Sequence, residues 1–170
     1  MTVRYATAAD TAVLIDLFDE ARATIAQLGI DQWQDGYPHR HVVEDGIDRG
    51  ETYCVEIDGS LAATFVLVDS EPLYDAIENG HWMSGDESRD YVAIHRVAVS
   101  VAKRGSGIST AILDFAAEEA RERGRTSLRI DTHEGNIVMR RMLEKHGFSP
   151  CGVIRLENGA PRVAYEKILK

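Results

Sequence analysis

The order of secondary-structure signals predicts an α+β fold. Two observations carry this prediction: hairpin signals open and close the chain, and a strand-helix-strand-helix run lies between them. A doubly wound sheet would instead alternate strand and helix throughout. A length of 170 residues favours one domain, residues 1–170. A chain of this size buries roughly 70% of its unfolded surface, enough for a core without staples.

The elements follow in order. Arg4 to Ala6 reads as a short strand, and Asp10 is placed to cap a helix whose Leu14, Leu17, Phe18, Ala21, Ile25 and Leu28 recur at spacings of three and four. Gly29 ends that helix, residues 31–38 are loop-like, and a short helix runs from about His39 to Arg49 before Gly50. Thr52 to Ile57 and Leu61 to Val68 are strands joined by Asp58-Gly59, a strong hairpin signal. Residues 69–90 are too long for an ordinary connection and read as a functional loop or a partly helical insertion. Tyr91 to Val99 is a strand, and after Gly107 a helix carries Ile108, Ile112, Phe115 and Ala116 until Gly124. Ser127 to Asp131 is a strand and Gly135 to His146 a helix. Gly147-Phe148 turns into a last strand pair around Asn158-Gly159.

Composition narrows the functional classes. With 44% apolar and 28% charged residues the chain is an ordinary globular protein. Its net charge of −9 is unevenly spread: residues 1–90 carry −14 and residues 91–170 carry +5, so the halves are expected to face different partners. The acidic total argues against nucleic acid, which needs a clustered basic surface. The longest nearly apolar run, Leu61 to Val68, is too short to cross a membrane as a helix. The first residues lack the pattern of a secretory signal. Two distant thiols, Cys54 and Cys151, suit a reducing cytoplasm.

The most informative segment is Val97-Ala98-Val99-Ser100-Val101-Ala102-Lys103-Arg104-Gly105-Ser106-Gly107-Ile108-Ser109. A glycine-rich turn opening a helix aims several backbone N–H groups at one spot, where the helix end adds partial positive charge. Such a nest suits a pyrophosphate, although a glycine pair by itself is more often just a tight turn. A P-loop needs Lys then Ser or Thr at the helix start, and Ile108 stands after Gly107. A dinucleotide fingerprint needs Gly where Thr110 stands, although Asp131 imitates its ribose-binding acid; a Rossmann-type binder is therefore a weaker alternative.

Arg104-Gly105-Ser106-Gly107-Ile108-Ser109 resembles the Arg/Gln-x-x-Gly-x-Gly/Ala loop of the GNAT superfamily of N-acetyltransferases. Arg96-Val97-Ala98-Val99 looks like that family's central strand. Asn136 with Leu143-Glu144-Lys145-His146-Gly147-Phe148 resembles its later helix and turn. The resemblance implies a mixed, splayed sheet of about seven strands flanked by helices. It also implies acetyl-CoA as co-substrate, with Val97, Ala98 and Val99 on the pantetheine arm and Arg104, Gly105, Ser106, Gly107, Ile108, Ser109 and Thr110 around the pyrophosphate. Asn136, Met139 and Met142 would line the pantetheine end; without the resemblance the two methionines read as core. No metal is expected.

Acetyl transfer to an amine needs a neutral nucleophile, and a primary amine of pKa near 10.4 must lose a proton to attack. His95 is the candidate base. Strand alternation would place it on the face of Ala93, Val97 and Val99, and its alternative role is that of a hydrogen-bonded core histidine. His133 and His146 are weaker candidates, explained by a loop and by a helix end. Where the family carries a Tyr as general acid, this chain has Leu143; Tyr165 and Tyr91 are the available substitutes. A thiol of pKa near 8.5 can also leave unprotonated.

The acceptor side falls in the acidic half. Trp33 and Trp82, in its two longest loops, are expected to wall an acceptor pocket whose carboxylates favour a cationic small-molecule or peptide amine. The competing role for each tryptophan is loop anchoring. A non-catalytic acyl-CoA-binding module is the alternative to an enzyme, since Leu143 lacks a transferable proton. Exposed sheet edges admit a homodimer.

Overall fold

The computed structural model describes residues 1–170. It contains seven strands, β1 (Thr2–Tyr5), β2 (Thr52–Ile57), β3 (Ser60–Val68), β4 (Tyr91–Val99), β5 (Ser127–Thr132), β6 (Ser149–Arg155) and β7 (Pro161–Ile168). Its four α-helices are α1 (Thr11–Ala26), α2 (Arg40–Asp48), α3 (Ile108–Glu122) and α4 (Ile137–Lys145). The strands belong to one mixed sheet in the order β1-β2-β3-β4-β5-β7-β6, the α+β architecture expected. The chain divides into two compact units, residues 1–67 with 95–112, and residues 68–94 with 113–170.

The first unit is built on the β1-β2-β3 meander. Asp58 and Gly59 both adopt positive φ, +52° and +74°, as a two-residue hairpin of matching twist requires. The register shifts between Val55 and Glu56, where Ala62 of β3 is the extra, unpaired residue of a bulge. Leu14, Leu17, Phe18 and Ala21 of α1 bury the stripe that their spacing implies, against Val43, Cys54 and Ala98. Asp10 does not cap α1 with its side chain. Its carboxylate turns back to accept the Thr7 N–H at 2.8 Å and the Arg4 guanidinium at 2.9 Å, so a 3-10 turn, Ala8–Asp10, precedes the helix. That pairing holds the Asp10 carboxyl well below the usual range.

The second unit carries a parallel step and an antiparallel pair. β4 pairs with β5 from Tyr91↔Ser127 to Ala93↔Arg129, and the parallel register stops there. β5 continues antiparallel to β7 as far as Thr132↔Val163, and β7 pairs with β6. Residues 69–90 do form a partly helical insertion, with a 3-10 turn at Pro72–Asp75. It is zipped to β6 by reciprocal Glu78 and Val153 backbone bonds of 2.7 and 2.8 Å and by His81 N–H to Cys151 O at 3.0 Å. Gly80 makes this approach: a Cβ there would lie 1.9 Å from the Cys151 carbonyl oxygen.

Arg129, fully buried, organises this insertion. Its guanidinium sits 4.2 Å from the Trp82 ring and 4.1 Å from the Tyr91 ring. Its Nε donates to Glu166 at 3.0 Å, and Nη2 donates to Ser84 Oγ. Burial pushes the Glu166 carboxyl up, but hydrogen bonds from Ser84, Ser127 and Arg129 outweigh it and leave the group below its ordinary value.

Candidate active site

In the first unit β4 is not a regular strand. Arg96, in its middle, has φ +52°, a left-handed conformation that a non-glycine residue rarely adopts. Strict alternation therefore does not run from Ala93 through His95 to Val97 and Val99, and the expected shared face is corrected. His95, Arg96, Val97 and Val99 are half-buried, and Ala98 joins the α1 core. The Nε2 of His95 is shielded from solvent.

After β4 the chain makes a 3-10 turn, Val101–Lys103, and the glycine loop. Gly105 and Gly107 both take positive φ, +78° and +79°, and a Cβ at either would meet nothing within 4 Å. Backbone conformation rather than crowding thus selects glycine here. The first helical bond at the start of α3 runs from Ala111 N–H to Gly107 O, which leaves the Ile108 and Ser109 amides ahead of the ladder. The Ser106 hydroxyl donates to the Lys103 carbonyl, closing the loop on itself. A concave backbone segment of this kind, ending in a helix N-terminus beside Arg104, fits a pyrophosphate.

Helix α1 braces the loop. Glu20 accepts the Val101 N–H at 2.9 Å, and Thr24, one turn on, accepts from Arg104 Nη2 at 2.8 Å. The Thr24 hydroxyl also donates to the Glu20 carbonyl at 3.1 Å. Nothing in the sequence marks Glu20 or Thr24 for this role, and Arg96 stands out there only as part of the family-like strand. An i, i+4 polar pair on the solvated side of an amphipathic helix gives no local signal of its partner.

Trp33 lies in the same unit. It too is left-handed, with φ +63°, and its ring meets Phe18 edge-on at 5.9 Å and Tyr37 at 6.4 Å. Arg22 pins this loop by donating to the Gly36 and Tyr37 carbonyls at 3.2 and 3.1 Å. The ring is only partly buried.

The second unit holds the remaining expected residues. Asn136 caps α4 by accepting the Met139 N–H at 3.2 Å, and Met139 and Met142 are half-buried. Leu143 is fully buried. Trp82 corrects the expectation made for it: it is 3% exposed, its ring stacks on Arg129, and its indole N–H donates to Tyr74 O at 2.8 Å. Those are the surroundings of a packing residue. Both tyrosine hydroxyls are engaged. Tyr165 accepts from Arg140 at 2.9 Å and donates to Glu144 at 3.0 Å, while Tyr91 donates to Glu71 O at 3.3 Å. Burial, partly opposed by Arg140, raises the Tyr165 pKa. His133 Nδ1 accepts the Gly135 N–H, and His146 Nδ1 donates to Met142 O, which gives both rings local roles.

The profile of the acetyltransferase (GNAT) family matches residues 15–148. The chain belongs to this family. A GNAT-family acetyltransferase from Streptococcus agalactiae is 37% identical, with a TM-score of 0.90 over 99% of this chain and 95% of its own. The fold recurs in a ribosomal-protein-alanine N-acetyltransferase from Brucella melitensis, at 21% identity and TM-score 0.70 over 99% of this chain and 100% of that one. It recurs again in an acetyltransferase from Salmonella typhimurium solved with its cofactor acetyl-CoA, at 20% identity and TM-score 0.68 over 100% and 94%. No curated protein matches the sequence.

Membership in the GNAT family removes the Rossmann-type alternative. Asp131, which imitated a ribose-binding acid, instead accepts the Tyr74 hydroxyl at 2.8 Å. No helix of this GNAT protein is long and apolar enough to cross a membrane. Both cysteines are buried free thiols, and burial pushes Cys54 up to about 11.

Proposed function

We propose that this GNAT protein, acting as one domain of residues 1–170, transfers an acetyl group from acetyl-CoA to a primary amine of a small molecule or peptide. The observation that carries the donor is the loop of residues 104–110, where two left-handed glycines, the Ile108 and Ser109 amides and Arg104 make an anion cradle. Val97, Ala98 and Val99 offer backbone groups to the pantetheine arm, and Asn136, Met139 and Met142 serve its far end. The donor supplies an activated thioester. That the Salmonella protein holds acetyl-CoA on the same fold supports this choice.

His95 takes the amine's proton, directly or through water, as the nitrogen bonds to the carbonyl carbon and the carbon–sulfur bond breaks. The thiolate leaves without a tyrosine acid: Leu143 has no proton to give, and the Tyr165 and Tyr91 hydroxyls are committed within the protein. A thiol pKa near 8.5 makes that departure tolerable. Trp33 stands on the acceptor side, and the −14 charge of residues 1–90 favours a cationic acceptor. The work is cytoplasmic.

Calorimetry with acetyl-CoA and with NAD tests the donor; micromolar binding of acetyl-CoA only is expected. Thiol release over an amine panel then tests the chemistry. Leu143 favours a second reading, a non-catalytic acyl-CoA-binding module, and binding without thiol release, unaltered by His95→Ala, would establish it.

A further inference from the structure

The left-handed residue inside β4 needs something to hold it. A non-glycine residue at φ +52° costs on the order of 1–3 kcal/mol and persists only where its surroundings impose it. Nothing in Tyr91-Val92-Ala93-Ile94-His95-Arg96-Val97-Ala98-Val99 asks for such a turn, since the run is rich in β-formers.

The Arg96 side chain supplies the constraint. Its Nη1 donates to the Val42 carbonyl of α2 at 3.2 Å, and its Nε is buried with no partner. The guanidinium lies against Gly46: a Cβ there would stand 3.3 Å from Nη1 and 2.7 Å from Thr52 Oγ1. Gly46 has no positive φ, so glycine is present in this helix for room rather than for conformation. A helix-interior glycine costs about 1 kcal/mol against alanine, which here is the cost of admitting the Thr52 hydroxyl and, beside it, the Arg96 guanidinium.

The other arginines of this unit sharpen the contrast. Arg4, Arg22, Arg40 and Arg49 pair with carboxylates, and Arg104 sits in the proposed phosphate loop. Arg96 alone places a half-buried guanidinium on a helix carbonyl. Four residues on, Ser100 N–H donates to Ala62 O of β3 at 2.9 Å. Within β4 Arg96 alone takes a positive φ, directly between His95 and Val97. Local irregularities of this kind re-aim side chains beside active sites.

We propose that Arg96 is a positioning residue for the acetyl transfer: its tether to α2, admitted by Gly46, holds the left-handed turn that aims His95 and the Val97 backbone. This rests on the reading of β4 as the thioester strand. Arg96 touches neither reactant, so its removal acts on turnover rather than on donor affinity.

The test compares Arg96→Ala, Arg96→Gly, Arg96→Lys and Gly46→Ala for kcat, the acetyl-CoA KM and Tm. Arg96→Ala should lower kcat about tenfold or more with the acetyl-CoA KM within twofold. Arg96→Gly, free of the left-handed cost, should match or exceed the alanine variant in Tm while kcat stays low. Arg96→Lys should recover part of kcat. Gly46→Ala, whose Cβ would press on Thr52 Oγ1 and crowd the guanidinium, should lower kcat with Arg96 intact. Wild-type turnover in the glycine variant would show that the backbone turn needs no tether and would overturn the proposal, as would unchanged kcat in the alanine variant. If the wild-type protein binds no acetyl-CoA, the donor reading fails instead, so the two failures are distinguishable.

Discussion

Replacing Glu166 with Ala should destabilise the protein more than any surface change. Glu166 and Arg129 are both fully buried, and the carboxylate accepts from Arg129 Nε at 3.0 Å, Ser127 Oγ at 2.7 Å, Ser84 Oγ at 2.6 Å and Ser84 N–H at 3.0 Å. Removing it strands a buried guanidinium, for which about 3–5 kcal/mol is the usual loss. At roughly 2–4 °C per kcal/mol for a chain of this size, Tm should fall on the order of 10 °C. Thermal unfolding followed by circular dichroism measures this. Arg129→Met combined with Glu166→Gln should recover about half of the loss, because an uncharged pair leaves no stranded charge. The pH dependence follows from the same geometry. The folded-state pKa of Glu166 is depressed, so its contribution is present above the unfolded value near 4.3 and is lost as pH falls through the folded value. The gap between wild type and Glu166→Gln should therefore narrow below about pH 4. A single variant within about 2 °C of wild type, or a double variant worse than either single, would refute the assignment of this pair as the anchor of residues 69–90.

Four further outcomes are expected. Gly80→Ala, whose Cβ would sit 1.9 Å from the Cys151 carbonyl oxygen, should detach the insertion from β6 and lower Tm by several degrees in a thermal melt. Trp82→Ala should destabilise the fold as loss of a buried aromatic does, by about 3–5 kcal/mol in a thermal melt, whereas Trp33→Ala should raise the acceptor KM while the acetyl-CoA KM holds; unchanged acceptor kinetics would remove Trp33 from the acceptor side. Arg104→Ala should weaken acetyl-CoA binding about tenfold in calorimetry, with a shallower salt dependence than wild type, since the exposed cation in its proposed phosphate role is screened by ions.

Elements with local punctuation were readable from sequence. Asp58-Gly59 fixed a hairpin because two consecutive left-handed residues are what that turn demands, and the three- and four-residue spacing in α1 foretold its buried stripe. Asp10 was misplaced by one level: an acid before a helix reads as its cap, but Arg4 and Thr7 compete for the same carboxylate. Trp82 looked like an acceptor wall because it sits in a polar loop. Its true partner, Arg129, lies on a strand in a position that an arginine usually occupies only when solvated. Neither ring nor cation reveals the other at 47 residues of separation.

The donor and acceptor halves of the proposed reaction differ in how much chain they need. The loop proposed for the pyrophosphate is nearly self-contained: two glycine dihedrals, a helix start and one arginine sit within seven residues, and such a unit is visible as a motif. The base and the strand beside it are not. In the proposal above His95 is aimed by Arg96, which reaches Val42 across the bare face of Gly46. That chain of dependence spans more than 50 residues and contains no residue unusual for its local element except Gly46. The same contrast explains why a family resemblance locates the donor site sharply and leaves the acceptor open. Backbone amides suit a pyrophosphate whatever side chains surround them, whereas the acceptor side proposed for Trp33 depends on a ring placed by its packing on Phe18 and Tyr37.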